Sequence, residues 1–441
     1  MSIIYPMSRS CLQLSCRRGA PGRARRPRAR RPRGALPGLA RRAVPACAAL
    51  AFAALASVVP ASAPAQPTPA SIEGAYRFLG AMMDRYASGA QLRLVQSYSG
   101  GTLEREGVDD SFTYDDAVII DALLARSEPE NLARAQVLGR SLLYVQEHDP
   151  AADGRIRAAY APTPLASPAD VTATDPISDV GNMAWVGQAL VHLYERTGTT
   201  SFLAGARELA GWIVGEAHDE RGAGGYTGGE EAGGGHIRWK STEHNIDLYS
   251  FFSLLAAATG EAAWTQDAAH ARRFVEAMWE PRKGMFWVGT GDEGVKPNRH
   301  VRAEDVNSWS YLALRDAAFG ASLDWVTRYL AVNKKGFSGV SFCKGSRKGV
   351  WFEGTAHIAE ALFARGLPGD EEAAERYLAD IEHAQLDGPN NDGEGIIAAS
   401  RDGVGDCEGE AYFASLHTGA TAWYLLAAGR VDPFEPLEGG L

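Results

Sequence analysis

Cysteine is scarce in this chain of 441 residues: beyond residue 65 only Cys343 and Cys407 remain, and no CxxC pair or HExxH segment occurs. Those absences exclude the common zinc cages and metalloprotease helices, and no residue pattern calls for a cofactor. Negative charge is missing from the first 65 residues, which hold twelve Arg but no Asp, Glu or Lys. That basic stretch leads into AVPACAALAFAALASVV from Ala43 and then ASAPAQ. The order of basic region, apolar core and small-residue site predicts a secretory leader cleaved after Ala65, and Arg41-Arg42 also permits twin-arginine export. The apolar run is too short for a membrane span, so no stable membrane insertion is expected once the leader is removed.

All 54 acidic residues lie beyond the leader, against 44 − 12 = 32 basic ones, a net charge of −22. An exported domain of that sign is a poor partner for nucleic acid or anionic membranes, and a monomer is expected. Export makes a disulfide chemically permissible. Cys343 and Cys407 both lie in loops preceding successive core helices, which makes them candidates for a bridge.

After a linker at 66–70, two kinds of helix alternate. One kind is apolar nearly all round: 114–126, 180–197, 243–259, 305–318, 353–365 and 417–428. The other carries Arg and Glu along one face: 71–88, 129–147, 200–216, 262–279, 322–333 and 370–384. A helix apolar on every side must be enclosed, whereas one with a charged face borders water. Six of each predict an all-α (α/α)6 toroid over 71–430, followed by a tail at 431–441.

Connections from an enclosed helix to the next solvated one are a few residues long, such as GTT and GE. The opposite connections are long, at 89–113, 148–178, 217–242, 280–303, 335–352 and 385–416. Long loops inside a compact domain are commonly functional, and all six would crowd the face where the enclosed helices begin. Strand-like pieces such as Met285 to Gly289 predict small hairpins there.

Acids, amides and indoles collect at those helix starts. A carboxylate at a helix N-terminus is favoured by unpaired amides and the helix dipole, so each acid alone has a structural explanation. Six such starts around one opening, beside indoles expected to be exposed at Trp185, Trp239, Trp287, Trp309 and Trp351, suit a sugar cleft, because pyranoses present an apolar face and a rim of hydroxyls. Glycosidic cleavage needs one protonated carboxyl and one carboxylate. Glu243 and Glu353 are the leading pair, each a charge entering an apolar helix. The expected assignment makes Glu353 or Asp116 the acid and Glu243 the base, oriented by Asp247 and Asn245, with Glu243 and Asp247 coupled at i, i+4. Of the adjacent Asp115 and Asp116 only one can face the lumen, and Asp116 is preferred. Asp115, Asn182, His244, Asp305 and His417 complete the expected sugar-binding set.

TYDDAVIIDALLA, KSTEHNIDLYSFF and VWFEGTAHIAEAL followed by LHTGATAWYLLA, on the alternating architecture, make residues 71 to 428 resemble the six-hairpin glycosidase superfamily. That resemblance implies the (α/α)6 fold and carbohydrate chemistry, without assigning a catalytic pair. Hydrolysis is the leading expectation. A polysaccharide lyase or sugar epimerase on the same scaffold is the alternative, as is a non-catalytic glycan-binding or envelope assembly protein. Few arginines near the mouth, chiefly Arg238 and Arg302, argue against uronates; His244 with His417 keeps epimerisation open.

Overall fold

The computed structural model describes residues 66–437 except Glu408; the expected leader, with its cleavage site, lies outside them. The helices are α1 (Pro69–Met83), α2 (Gly101–Arg105), α3 (Thr113–Leu124), α4 (Pro129–Glu147), α5 (Val180–Thr197), α6 (Thr200–Ala217), α7 (Thr242–Thr259), α8 (Ala262–Ala277), α9 (Asp305–Leu314), α10 (Ala321–Tyr329), α11 (Phe352–Arg365), α12 (Asp370–Asp387) and α13 (Thr418–Gly429). The enclosed helices α3, α5, α7, α9, α11 and α13 each pack on the next, and α13 returns to α3, so the inner ring closes. Each also packs on the outer helix that follows it, and α13 on α1. Every residue of α3 is buried, as its all-round apolar sequence requires.

Sharp stops keep the hairpins tight. In α7 the Ser241 hydroxyl accepts from His244 N at the start, and Gly260 leaves in the left-handed region at φ 72°. That is the favoured capping chemistry at both ends.

Backbone bridges join each long loop to the next around the mouth. The pairs are Phe112 with Ala159, Asp179 with Gly229, Ser241 with Gly289, Ala303 with Cys343, Trp351 with Ala399, and His417 with Tyr98. The residue just before, or close before, each inner helix therefore touches the middle of a neighbouring loop, and all six helix starts face one side. Gly289 shows how close the approach is: its φ is 142°, and a Cβ there would lie 2.1 Å from the Lys240 carbonyl oxygen.

A second device repeats beneath those bridges. A first-turn side chain of an inner helix accepts a backbone N–H from the loop before it: Asp116 from Val95 (3.0 Å), Asn245 from Tyr226 (2.8 Å), Asn307 from Phe286 (2.9 Å), Thr355 from Val340 (3.1 Å) and Thr421 from Ile396 (2.9 Å). These amides are buried with no ladder partner of their own, and an unsatisfied one would cost about 1–3 kcal/mol.

Several boundaries depart from the sequence reading. The first helix stops at Met83 rather than 88. The helix expected over 305–318 ends at Leu314, where Arg315 takes φ 48°. The one expected over 322–333 ends at Tyr329, because the chain enters a hairpin, Ala331–Lys334 with Phe337–Val340, whose two-residue turn places Lys335 and Gly336 at φ 54° and 89°. Positive φ at both turn positions matches the twist of paired strands. Of the strand-like piece expected over Met285 to Gly289, Met285–Phe286 forms a hairpin strand paired with Trp279–Glu280. Cys343 and Cys407 form a disulfide.

Residues 431–437 are not a loose tail. Phe434 enters the ring axis, with its centroid 5.2 Å from Trp185 and 5.5 Å from Trp309, and Asp432 pairs with Arg315 at 2.5 Å. No helix among the described residues is long and apolar enough to cross a membrane.

Replacing Asn245 by Ala removes its bonds to both Tyr226 backbone groups and to the Ser241 carbonyl. A loss of about 2–4 kcal/mol is expected by chemical denaturation, whereas Glu216→Ala on the solvated face of α6 should change stability by less than about 0.5 kcal/mol.

Candidate active site

The ring axis at the helix starts holds a narrow cavity lined by Tyr114, Glu243, Asp305, Trp309, Phe342, Trp351, Glu353, His357 and Tyr412. The space open to a water's centre is about 10 Å³, room for about one molecule. Trp185, Trp309, Trp423 and Phe434 stack beneath it as a floor, with ring centroids 5.2–6.5 Å apart. Phe342 and Tyr412 come from neighbouring loops and meet Trp351 at 4.8 and 5.2 Å. The disulfide ties together the two loops that carry them.

Glu353, in the first turn of α11, is the centre of this site. Its Oε1 accepts from the Tyr114 hydroxyl at 2.6 Å, and that hydroxyl accepts from Trp423 Nε1 at 2.7 Å. His417 Nδ1 lies 3.5 Å from Oε2, and His357 Nε2 lies 3.8 Å from Oε1. Burial outweighs these neighbours and pushes the Glu353 carboxyl up to about 7, so it holds a proton near neutrality. His417 is shifted upward: burial disfavours its charge, but the Asp115 carboxylate 3.3 Å from Nε2 overcomes that. Its ring lies flat on Tyr98, with centroids 4.3 Å apart.

A second acid–imidazole pair adjoins the first. Glu304 Oε2 lies 3.3 Å from His357 Nδ1. Burial, then the Asp305 charge, raises Glu304 well above the ordinary carboxylate range, and burial holds His357 well below the ordinary imidazole range. Both groups are therefore held neutral. Among the described residues no Arg or Lys lines this cavity.

Of the sequence-predicted residues, the structure gathers Glu243, Glu353, Asp305, Trp309 and Trp351 around the cavity, with His417 and Asp115 directly behind Glu353. The preference between the two aspartates is reversed. Asp116 points away, accepting from Val95 N and the Ser111 hydroxyl at 2.8 Å as a loop clamp, while Asp115 approaches His417 over Gly419, where a Cβ would sit 2.3 Å from Asp115 Oδ1.

Other expectations fail for packing reasons. Asn245 is a clamp on Tyr226 and does not orient Glu243. Asn182 is tied by its amide to Asp179 at 2.6 Å. Asp247 is buried along α7, and the charges that raise it after burial are those of Asp305 and Asp179 rather than Glu243. His244 is wedged against Gly181 and edge-on to Trp239, and burial lowers it to about 3. Trp185 belongs to the floor. The indoles expected at the surface are buried, except that Trp239 is half-buried.

Sequence reasoning missed Glu304, His357 and Tyr412 as site residues and noted Tyr114 only as part of a helix start. His357 was findable, since it follows Glu353 at i+4 and shares its face. Tyr412 and Phe342 sit on loops that no periodicity places.

A metal is poorly served here. His218, Glu220 and His270 bring ligand atoms within 4.8 Å of one another. However, His270 Nδ1 faces the Arg273 guanidinium at 2.8 Å and Nε2 is engaged by the Gly225 backbone, so a cation would meet a positive neighbour.

No protein-family model and no curated protein matches the sequence. Solved structures match over most of the chain. Cellobiose 2-epimerase from Bacillus thermoamylovorans shows 10% identity with a TM-score of 0.61, over 82% of this chain and 98% of that one. A glycosidase in complex with glucose shows 14% identity with a TM-score of 0.57, over 82% and 96%. A glycoside hydrolase family 76 mannosidase from Bacteroides thetaiotaomicron shows 12% identity with a TM-score of 0.56, over 81% and 98%. At these identities the likeness speaks to the backbone, and it agrees with the closed double ring: the chain has the (α/α)6 toroid fold.

Proposed function

We propose that the protein is an exported glycoside hydrolase, with Glu353 as general acid and Glu243 as the carboxylate that activates water or attacks the sugar. The observation that carries this reading is the meeting of Glu243 and Glu353, from separate inner helices, in one cavity where burial keeps Glu353 protonated near neutrality. A proton donor matched to the working pH beside a second carboxylate is what glycosidic cleavage requires. The Tyr114 hydroxyl aims one oxygen of Glu353 and leaves the other toward His417. A pyranose exceeds the space present, so binding requires side chains that line the cavity to shift. Export is supported by the leader sequence and by the Cys343–Cys407 disulfide, which suits an oxidising compartment.

A second reading, sugar epimerisation or isomerisation, is favoured by the two imidazoles, His357 and His417, that flank Glu353. It also draws on the likeness to cellobiose 2-epimerase. Incubation with glycans in deuterated water separates the two. Hydrolysis yields shorter sugars with no carbon-bound deuterium, whereas epimerisation keeps the chain length and exchanges the proton beside the carbonyl.

Glu353→Gln and Glu243→Gln should each lower kcat by roughly 10²–10⁴ while glycan binding persists. Asp116→Asn, which keeps an acceptor for Val95 N, should retain activity within about threefold of wild type, since a clamp takes no part in the chemistry. If kinetics show Asp116→Asn inactive and Glu353→Gln active, the assignment is wrong.

The pH dependence has a defined sign. A carboxyl raised in the folded state favours folding while protonated, and that advantage disappears as pH rises from its unfolded value toward about 7. Between pH 5 and 8 wild type should therefore lose about 2–3 kcal/mol relative to Glu353→Gln in denaturation experiments. The acid-dependent limb of kcat/KM should fall above about pH 7.

A further inference from the structure

The chain has seven lysines, and four of them, Lys334, Lys335, Lys344 and Lys348, fall within fifteen residues. Composition does not account for this clustering, because beyond residue 65 acids outnumber bases by 22. Lys334, Lys335, Lys348, Ser400 and Arg401 line one open groove of about 270 Å³, close to the lower end of ligand-pocket sizes, about 300 Å³. Among the described residues none of these cations forms an ion pair, and Arg401 bonds only the Asp402 carbonyl. Unpaired like charges held together repel one another, and an anion placed among them removes that repulsion.

The groove walls are tied together. Lys334 Nζ donates to the Arg347 carbonyl, and the Arg347 guanidinium donates to the Ala331 carbonyl. Val350 N donates to the Ser400 hydroxyl and Ser400 N to the Val350 carbonyl, both at 3.0 Å. The next residue, Trp351, lines the cavity and pairs with Ala399. One wall of the cationic groove, at Ser400, is therefore bonded to the residue next to Trp351.

We infer that this groove is a subsite for the anionic units, carboxylated or sulfated, of a glycan whose reacting unit lies beneath Trp351. The inference rests on the reading of the protein as a glycan-processing enzyme. Charge selection happens at the groove, because among the described residues acids line the cavity and no Arg or Lys does. The scarcity of arginine near the helix starts thus does not bar an acidic polymer; its charges are met one step outward.

The test is calorimetric titration of the full chain with polygalacturonate, dextran sulfate and uncharged dextran, and with phosphatidylglycerol vesicles, at 50 and 300 mM NaCl. At least one anionic glycan should bind tenfold or more tightly than dextran and weaken tenfold or more at the higher salt. The Lys334→Gln/Lys335→Gln/Lys348→Gln triple variant, with an unchanged melting temperature, should lose tenfold or more of that affinity. Equal binding of dextran and polyanions, unaltered binding by the triple variant, or binding to vesicles alone would overturn the inference. A wild type that cleaves uncharged glycans yet ignores polyanions removes the groove and leaves the hydrolase. One that binds polyanions but turns over no glycan keeps the groove and removes the enzyme.

Discussion

The hydrogen bond from a loop amide to the first turn of an inner helix is the contact on which this molecule depends. Val95, Tyr226, Phe286, Val340 and Ile396 each present one buried N–H, and Asp116, Asn245, Asn307, Thr355 and Thr421 each accept one. Loops of this length are ordinarily the least ordered part of a fold. Here each is pinned beneath by a clamp and joined above by a backbone bridge to its neighbour, and the two devices together hold the mouth as a closed rim. The exception is α5, where Asn182 serves the Asp179 cap instead.

A fixed rim lets the fold bury charge that would otherwise find water. Asp115, Glu243, Glu304, Asp305 and Glu353 come from the starts of four inner helices and are all buried. Burial and mutual proximity then raise Glu304 and Glu353, so protons replace counter-ions. The arrangement is costly for stability and suited to proton transfer, a trade characteristic of active sites. Beneath it, the indoles of Trp185, Trp309 and Trp423 with Phe434 give a rigid apolar base that keeps the dielectric low.

Loop clamps and cavity acids use the same residue types at adjacent positions. Asp115 and Asp116 differ by one position, about 100° around a helix. One meets His417 and the other a loop amide. Asn245 and Glu243 share a turn in the same way. By contrast, α4 and α5 end where their periodicity, proline and glycine signals place them, and the long–short alternation of loops locates the mouth.

What the amino-acid order decided by itself was the double ring, the side on which the long loops gather, and the placing of Glu243 and Glu353 at inner-helix starts on that side. Those follow from local periodicity, helix stops and connection lengths, which act between near neighbours. Tertiary structure alone decided which acid of each pair faces the axis, that Glu304, His357 and Tyr412 belong with Glu353, and that the indoles are buried rather than displayed. It also gathered the lysines of one hairpin and loop with an arginine from the next, because such groupings depend on contacts between residues far apart in the chain, where no sequence period reaches.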